Sequence, residues 1–196
     1  MNATSTSEII LAVVLVLIAV AAVTTIYLYR RRQSQRLKVR FGAEYGRTVK
    51  QLGGESRAEA ELRRRETRMA KLAIRPLTAA EAERFHDAWV RLQGRFVDDP
   101  HGTVAEADKL VTELLVARGY PMSDFDLRAA DISVDHPRVV DAYRSAQLIA
   151  VRDRRGEADT EELRKAIVHY RSLFADLLEV SAPQVSPEPR RIAAQS

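Results

Sequence analysis

The residues that could do chemistry crowd into one passage, "RGYPMSDFDLRAADISVDHPRVVDAYR", Arg118 to Arg144. Tyr120, Arg128, Asp131, Asp135 and His136 are the ligand-pocket candidates there, a phenol, a guanidinium, two carboxylates and an imidazole able to bind or relay a proton. A joint between helices accounts for most of the same residues. Ser123 with Asp126 reads as a helix cap, Asp135 and His136 precede a Pro-led helix, and Asp124, Asp131 and Arg128 are spaced to pair along one turn. Asp124, Asp126, Asp131 and Asp135 nevertheless outnumber their cationic neighbours, which a joint leaves unexplained.

Two weaker clusters point to metal chemistry and stop short of it. Glu83 and His86 form one Glu-x-x-His, the spacing of di-iron bundles, but His169 has Ala166 three residues before it where a second Glu is required. Asp98, Asp99 and His101 share the turn "FVDDPHG" without a third acid at regular spacing, and Asp-Asp-Pro followed by Gly is ordinary turn chemistry. With 0 cysteines the chain has no disulfide, thiolate metal site or cysteine nucleophile. No phosphate-binding glycine loop or nucleophile elbow appears. The sequence therefore names no catalytic residue, metal or cofactor.

The elements around these residues are more legible. "IILAVVLVLIAVAAVTTIYLY", Ile9 to Tyr29, is 21 residues without a charge. As a helix it reaches roughly 32 Å, enough for a bilayer core. Arg30, Arg31 and Arg32 follow at once, with Arg36, Lys38 and Arg40 behind them. "AVAA" offers small residues for a signal-peptidase cut, but the leader "MNATSTSE" has no Lys or Arg and the apolar run outlasts a signal core. The reading is an uncleaved anchor in the cell membrane. Positive charge inside then puts the N-terminus outside and the rest in the cytoplasm.

Residues 30–75 hold 15 Lys+Arg against 5 Asp+Glu, whereas residues 76–182 hold 14 against 20. A basic neck on an acidic body points to an anionic surface met by one segment only. Leu37, Phe41, Tyr45, Val49 and Leu52 give that neck an apolar face, so Arg30, Arg31, Arg32, Arg36, Lys38 and Arg40 are expected to lie on the anionic inner leaflet of the lipid bilayer. Arg-rich segments also bind nucleic acid, but the membrane tether and the acidic body argue against that partner.

Beyond Gly53–Gly54 the stretch "ESRAEAELRRRETRMAKLA" reads as a solvated spacer helix that docks only its last turn, around Met69 and Leu72. Thr78 with Glu81 and Thr103 with Glu106 are capping boxes. Apolar stripes follow at Ala82–Phe96, Val104–Leu115, Val139–Val151 and Leu163–Leu178. The third covers so wide an arc that it suggests a central helix. No stretch alternates as a strand would.

"RLKVRFGAEYGRTV", "RFVDDP", "RGYPMSDFDLRAADISVDHPRVVDAYRSA" and "RKAIVHYRSLFADLLE" resemble the signature stretches of an uncharacterised bacterial family of small helical proteins, membrane-anchored or in some members secreted. The likeness runs from about Arg36 to Glu179. Relatives tend to carry Pro and Asp where this chain has Ala43 and Gly46, which implies a less rigid neck here. The resemblance implies the architecture and brings no catalytic residue.

The expected fold is all-α: a short leader (1–8), a single transmembrane helix (9–29), a basic amphipathic neck (30–54), a polar spacer helix (55–75), a compact helical bundle (76–180) and a disordered Pro-rich tail (181–196). The functional expectation is a single-pass membrane protein displaying a cytoplasmic helical module to a protein partner the sequence does not name. The alternative is an enzyme or small-ligand receptor built on Tyr120–Arg138.

Overall fold

A computed structural model describes residues 3–178, with side chains from residue 11 onward. Residues 1–2 and the expected disordered tail lie outside the described residues. Among those described there are helices and no strand. The chain divides into two compact units, one ending at Arg68 and the other beginning at Met69.

In the first unit, α1 (Ala3–Phe41) starts inside the expected leader and runs without a break through the apolar segment into the neck. Leu11, Leu15, Leu17, Ile18 and Val23 are exposed along it. It is one helix long and apolar enough to cross a membrane, as an anchor or a signal sequence would be. Gly42, at φ 50°, separates it from α2 (Ala43–Leu52). Gly53, at φ 69°, ends α2 before α3 (Glu55–Met69). Both turns use the left-handed backbone region that glycine enters without a Cβ clash.

Two expectations for this region are corrected. The neck's apolar residues do not form an open face for lipid: Leu37, Phe41 and Tyr45 are buried, and Leu52 lies away from them in solvent. The spacer is not solvated either, since Ala58 and Leu62 are fully buried. Hiding Leu37, Phe41 and Leu62 stabilises the hairpin-like fold by roughly 1.5–3 kcal/mol each, far more than a solvated helix gains from i,i+4 ion pairs. Arg65 Nη1 reaches the fully buried carboxylate of Glu44 at 2.8 Å, and its Nε meets Glu61 at 3.2 Å. Lys38–Glu55 at 3.2 Å and Arg40–Glu66 at 2.7 Å tie α1 to α3 at the surface.

The second unit holds α4 (Ala79–Gly94), α5 (Pro100–Arg118), α6 (Phe125–Asp135), α7 (Val140–Asp153) and α8 (Thr160–Leu177). α8 packs against α5 and α7, α4 against α5, and α6 against α7. The stripe of α8 is buried throughout, at Leu163, Ala166, Ile167, Tyr170, Leu173, Phe174 and Leu177. Trp89 of α4 stacks on Phe174 with ring centroids 4.7 Å apart. α7, whose wide arc suggested a central position, packs against α8, α5 and α6. It buries Val140, Tyr143, Ala146 and Ala150 against them and leaves Leu148 in solvent.

The caps agree with expectation at α4 and differ from it at α5 and α7. Thr78 and Glu81 form the capping box of α4. Thr103 caps nothing, because Pro100 already starts α5 and Asp99 accepts from the Gly102 amide at 2.9 Å. Proline is preorganised for a first helical position, and at Pro100 it wins. Pro137 does not open α7, which begins three residues later. Asp159 caps α8 with Glu162 as its box partner. α5 ends at Gly119, φ 95°, where a Cβ would stand 2.6 Å from the Ala73 carbonyl oxygen. That strap is held by the Arg75 amide donating to the Arg118 carbonyl at 2.9 Å.

Candidate functional site

Asp124, not Ser123, caps α6: its Oδ1 accepts from the Leu127 amide at 2.9 Å. From there α6 turns Ala129 to Val134 inward, so Asp131 and Ser133 are carried into the core among apolar neighbours. His136 closes the helix, its amide donating to the Ile132 carbonyl at 2.8 Å. Pro137 keeps it out of helical geometry, at φ −125°.

The five candidates are brought to one region but divided among separate links. Tyr120 Oη donates to Asp135 Oδ2 at 3.4 Å, a long bond between the end of α5 and the end of α6. His136 Nδ1 meets the Asp176 carboxylate of α8. Arg128 Nη1 donates to Thr112 Oγ1 of α5 at 3.4 Å. Asp131 is buried on α6, while Asp135 is exposed. Arg118, which bounds the passage, donates from Nη1 to the Leu177 carbonyl at 2.9 Å and so serves the open end of α8. The expected pairing of Arg128 along its own helix gives way to the α5 hydroxyl.

A second polar group lies beside these residues and escaped the sequence reading. Tyr170 Oη lies 2.9 Å from Asp108 Oδ1 and 3.1 Å from Gln147 Oε1. A phenol has one proton, so with the carboxylate taking it the Gln147 amide must present its NH2 side to Tyr170. Tyr143, fully buried, touches the ring of Phe125 at 5.1 Å and of Tyr170 at 6.4 Å. Its Oη, like Arg128 Nε and His136 Nε2, is buried with no hydrogen-bond partner in the protein. The signal was there in part: Asp108 interrupts the Val104–Val111–Leu115 side of α5 at helical spacing. Asp176 and Gln147 carried no comparable mark.

Burial pushes the Tyr143 hydroxyl up to about 12, with the Arg128 charge opposing and Asp108 adding to it. Burial first, and the Asp108 carboxylate second, raises Tyr170; burial and Asp135 do the same for Tyr120. Each phenol is thus more protonated in the fold than in the unfolded chain. The stability they contribute is complete below pH about 10 and is lost as pH rises from there toward 12 and beyond. Alkaline unfolding followed by circular dichroism should therefore coincide with the appearance of tyrosinate absorbance from these rings. Tyrosinate forming well before the fold is lost would show the rings are accessible.

The arrangement links helices and holds buried donors, without a nucleophile aligned on a base. The imidazole–carboxylate pair His136–Asp176 is one half of an acid–base relay, but Ser133 Oγ donates to the Ala130 carbonyl of its own helix at 2.6 Å. Glu83 and His86 point to solvent on α4. His101, from the Asp98–Asp99 turn, meets Asp153 at 2.5 Å while Asp99 caps α5. Among the described residues no group of three or more His, Asp and Glu stands where it could hold a metal ion. In the neck, Arg30, Arg31, Arg32 and Arg36 are exposed, and Lys38 and Arg40 carry the ion pairs to α3. The chain matches no family model, no curated protein and no solved structure.

The links make a testable pair. Arg128→Ala should destabilise the bundle by about 1–3 kcal/mol, since it removes a half-buried side chain that bridges α6 to α5. Asp135→Ala should cost about 1 kcal/mol, the worth of one acceptor for the buried Tyr120 hydroxyl. Thermal unfolding of both variants checks this, and a rise in melting temperature for either would mark a site whose charges are kept for binding rather than for folding.

Proposed function

We propose that this chain is a single-pass protein of the cell membrane, N-terminus outside, whose helical bundle stands in the cytoplasm as a protein-interaction module. One observation carries the reading: the unbroken run of exposed apolar side chains on α1 ends at Tyr29, and Arg30, Arg31 and Arg32 follow at once on the same helix. An exposed apolar helix of that length is stable only in lipid, and the adjacent cations set its direction. The exposed cations of the neck then face the anionic inner leaflet, each contributing about 1 kcal/mol near the surface. Leu148, Val168 and Met122 are apolar side chains left in solvent on the bundle, available to a partner.

A reporter fused after Ser196 should behave as cytoplasmic, and mass spectrometry should find the mature chain beginning near Met1. A periplasmic signal from the reporter would reverse the orientation, and a mature N-terminus near Val23 would make α1 a signal sequence. The second reading, an enzyme or small-ligand receptor, is favoured by the buried Tyr143 Oη, Arg128 Nε and His136 Nε2, polar atoms that a small polar ligand would satisfy.

A further inference from the structure

The first unit contains a groove that neither the anchor nor the bundle accounts for. It runs between the end of the apolar part of α1 and the first half of α3, with a volume of about 1070 Å³. Arg30, Arg31, Lys38 and Arg63 line it against two carboxylates, Glu55 and Glu59. Both carboxylates already face cations: Glu55 is 3.2 Å from Lys38, and Glu59 is 3.7 Å from Arg63. The four cations outnumber the two carboxylates, so the balance of the lining is positive.

The groove is built rather than draped. α3 is pinned by Ala58 and Leu62, which are fully buried in this unit, and by the buried pair of Arg65 with Glu44. Gln33 then holds its inner wall: its Nε2 donates to Tyr29 Oη at 2.8 Å, and its Oε1 accepts from Arg63 Nη1 at 3.2 Å. Arg63 belongs to α3, thirty residues further along the chain, yet it is steered back to the end of the apolar segment. A cation that served only to orient the anchor would not need that placement.

Depth selects the ligand. Gln33 lies four residues past Tyr29, about 6 Å along the helix. The polar headgroup layer extends roughly 5–8 Å beyond the hydrocarbon core on each side. Resting on the reading of α1 as a membrane anchor, we infer that this groove binds the phosphodiester headgroup of one anionic phospholipid, with Arg31 and Arg63 as its guanidinium donors. Guanidinium forks match phosphate oxygens two at a time, and a net anionic headgroup balances the positive lining better than a zwitterion does. Tyr27 and Tyr29 stand at the mouth, where aromatic rings accommodate the start of an acyl chain.

The test uses the full chain in detergent micelles with added phosphatidylglycerol or phosphatidylcholine, and native mass spectrometry to count retained lipid. One phosphatidylglycerol per chain should be retained, in clear preference to phosphatidylcholine. Arg63→Gln should weaken retention about tenfold, the effect of losing one charge-assisted hydrogen bond. Arg91→Gln, on an exposed cation of α4 outside the groove and the neck, should leave it unchanged. If Arg63→Gln lowers the helix content, Arg31→Gln supplies the same comparison without touching α3. Equal retention by wild type and both groove variants overturns the inference, as does an equal loss from Arg91→Gln. Displacement of the lipid by inorganic phosphate would also overturn it, in favour of a free-anion site. Alkaline carbonate extraction separates the two failures: a chain washed from native membranes defeats the anchor itself, whereas an embedded chain that retains no lipid defeats only the groove.

Discussion

Glu44→Ala is expected to destabilise the N-terminal unit by about 3–5 kcal/mol, because it takes a fully buried carboxylate partner from the Arg65 guanidinium. The Glu44 side chain is fully buried and that of Arg65 is 9% exposed, so water cannot replace the lost partner cheaply. Glu61 still reaches Arg65 Nε at 3.2 Å, which places the effect toward the lower end of that range. The measurement is hydrogen exchange at the amides of Ala58 and Leu62 in detergent-solubilised full chain, where loss of protection reports α3 leaving the neck. A double change, Glu44→Met with Arg65→Met, should recover most of the protection, since replacing both members of a buried pair by apolar groups of similar volume is often neutral. Unchanged exchange in Glu44→Ala would show that the apolar residues alone hold α3.

Phe174→Ala should cost the bundle about 3–5 kcal/mol, a large fraction of a small domain's stability. Phe174 is 2% exposed and stacks on Trp89, which is 5% exposed, so truncation leaves a cavity between α8 and α4 together with a lost ring contact. Trp89→Ala should act similarly, and the double variant should cost less than the sum, because the two rings share one contact. Thermal melts of the single and double variants test this. Additive losses would mean that the rings pack independently.

The apolar run Ile9–Tyr29, its cationic end and the Thr78–Glu81 box were legible because each depends on a few adjacent residues and on backbone or solvent preferences that act locally. The stripes of α4, α5 and α8 were legible for a related reason: one periodic face, buried on one side, leaves an unambiguous pattern. In the candidate site the same locality let the sequence mark Tyr120, Asp131 and His136 as polar residues in an otherwise packed region. It did not supply their partners.

Partners were decided by the tertiary structure. Arg128 had Asp124 and Asp131 within a helical turn, yet its Nη1 donates to Thr112, and His136 meets Asp176 forty residues away. Which acceptor a long side chain reaches depends on where the next helix lies, and helical spacing carries no record of that. The neck shows the same division most clearly. Leu37, Phe41 and Tyr45 were recognisable as an apolar face, whereas Ala58, Leu62 and Arg65 fell in what read as a solvated spacer. Only the turns at Gly42 and Gly53 bring the two together, and there the misplaced Arg65 finds Glu44. A sequence specifies that a face must be covered, because exposed apolar area costs free energy in water; whether lipid, a partner or the chain's own next helix covers it is settled by the directions in which the connecting turns send the backbone.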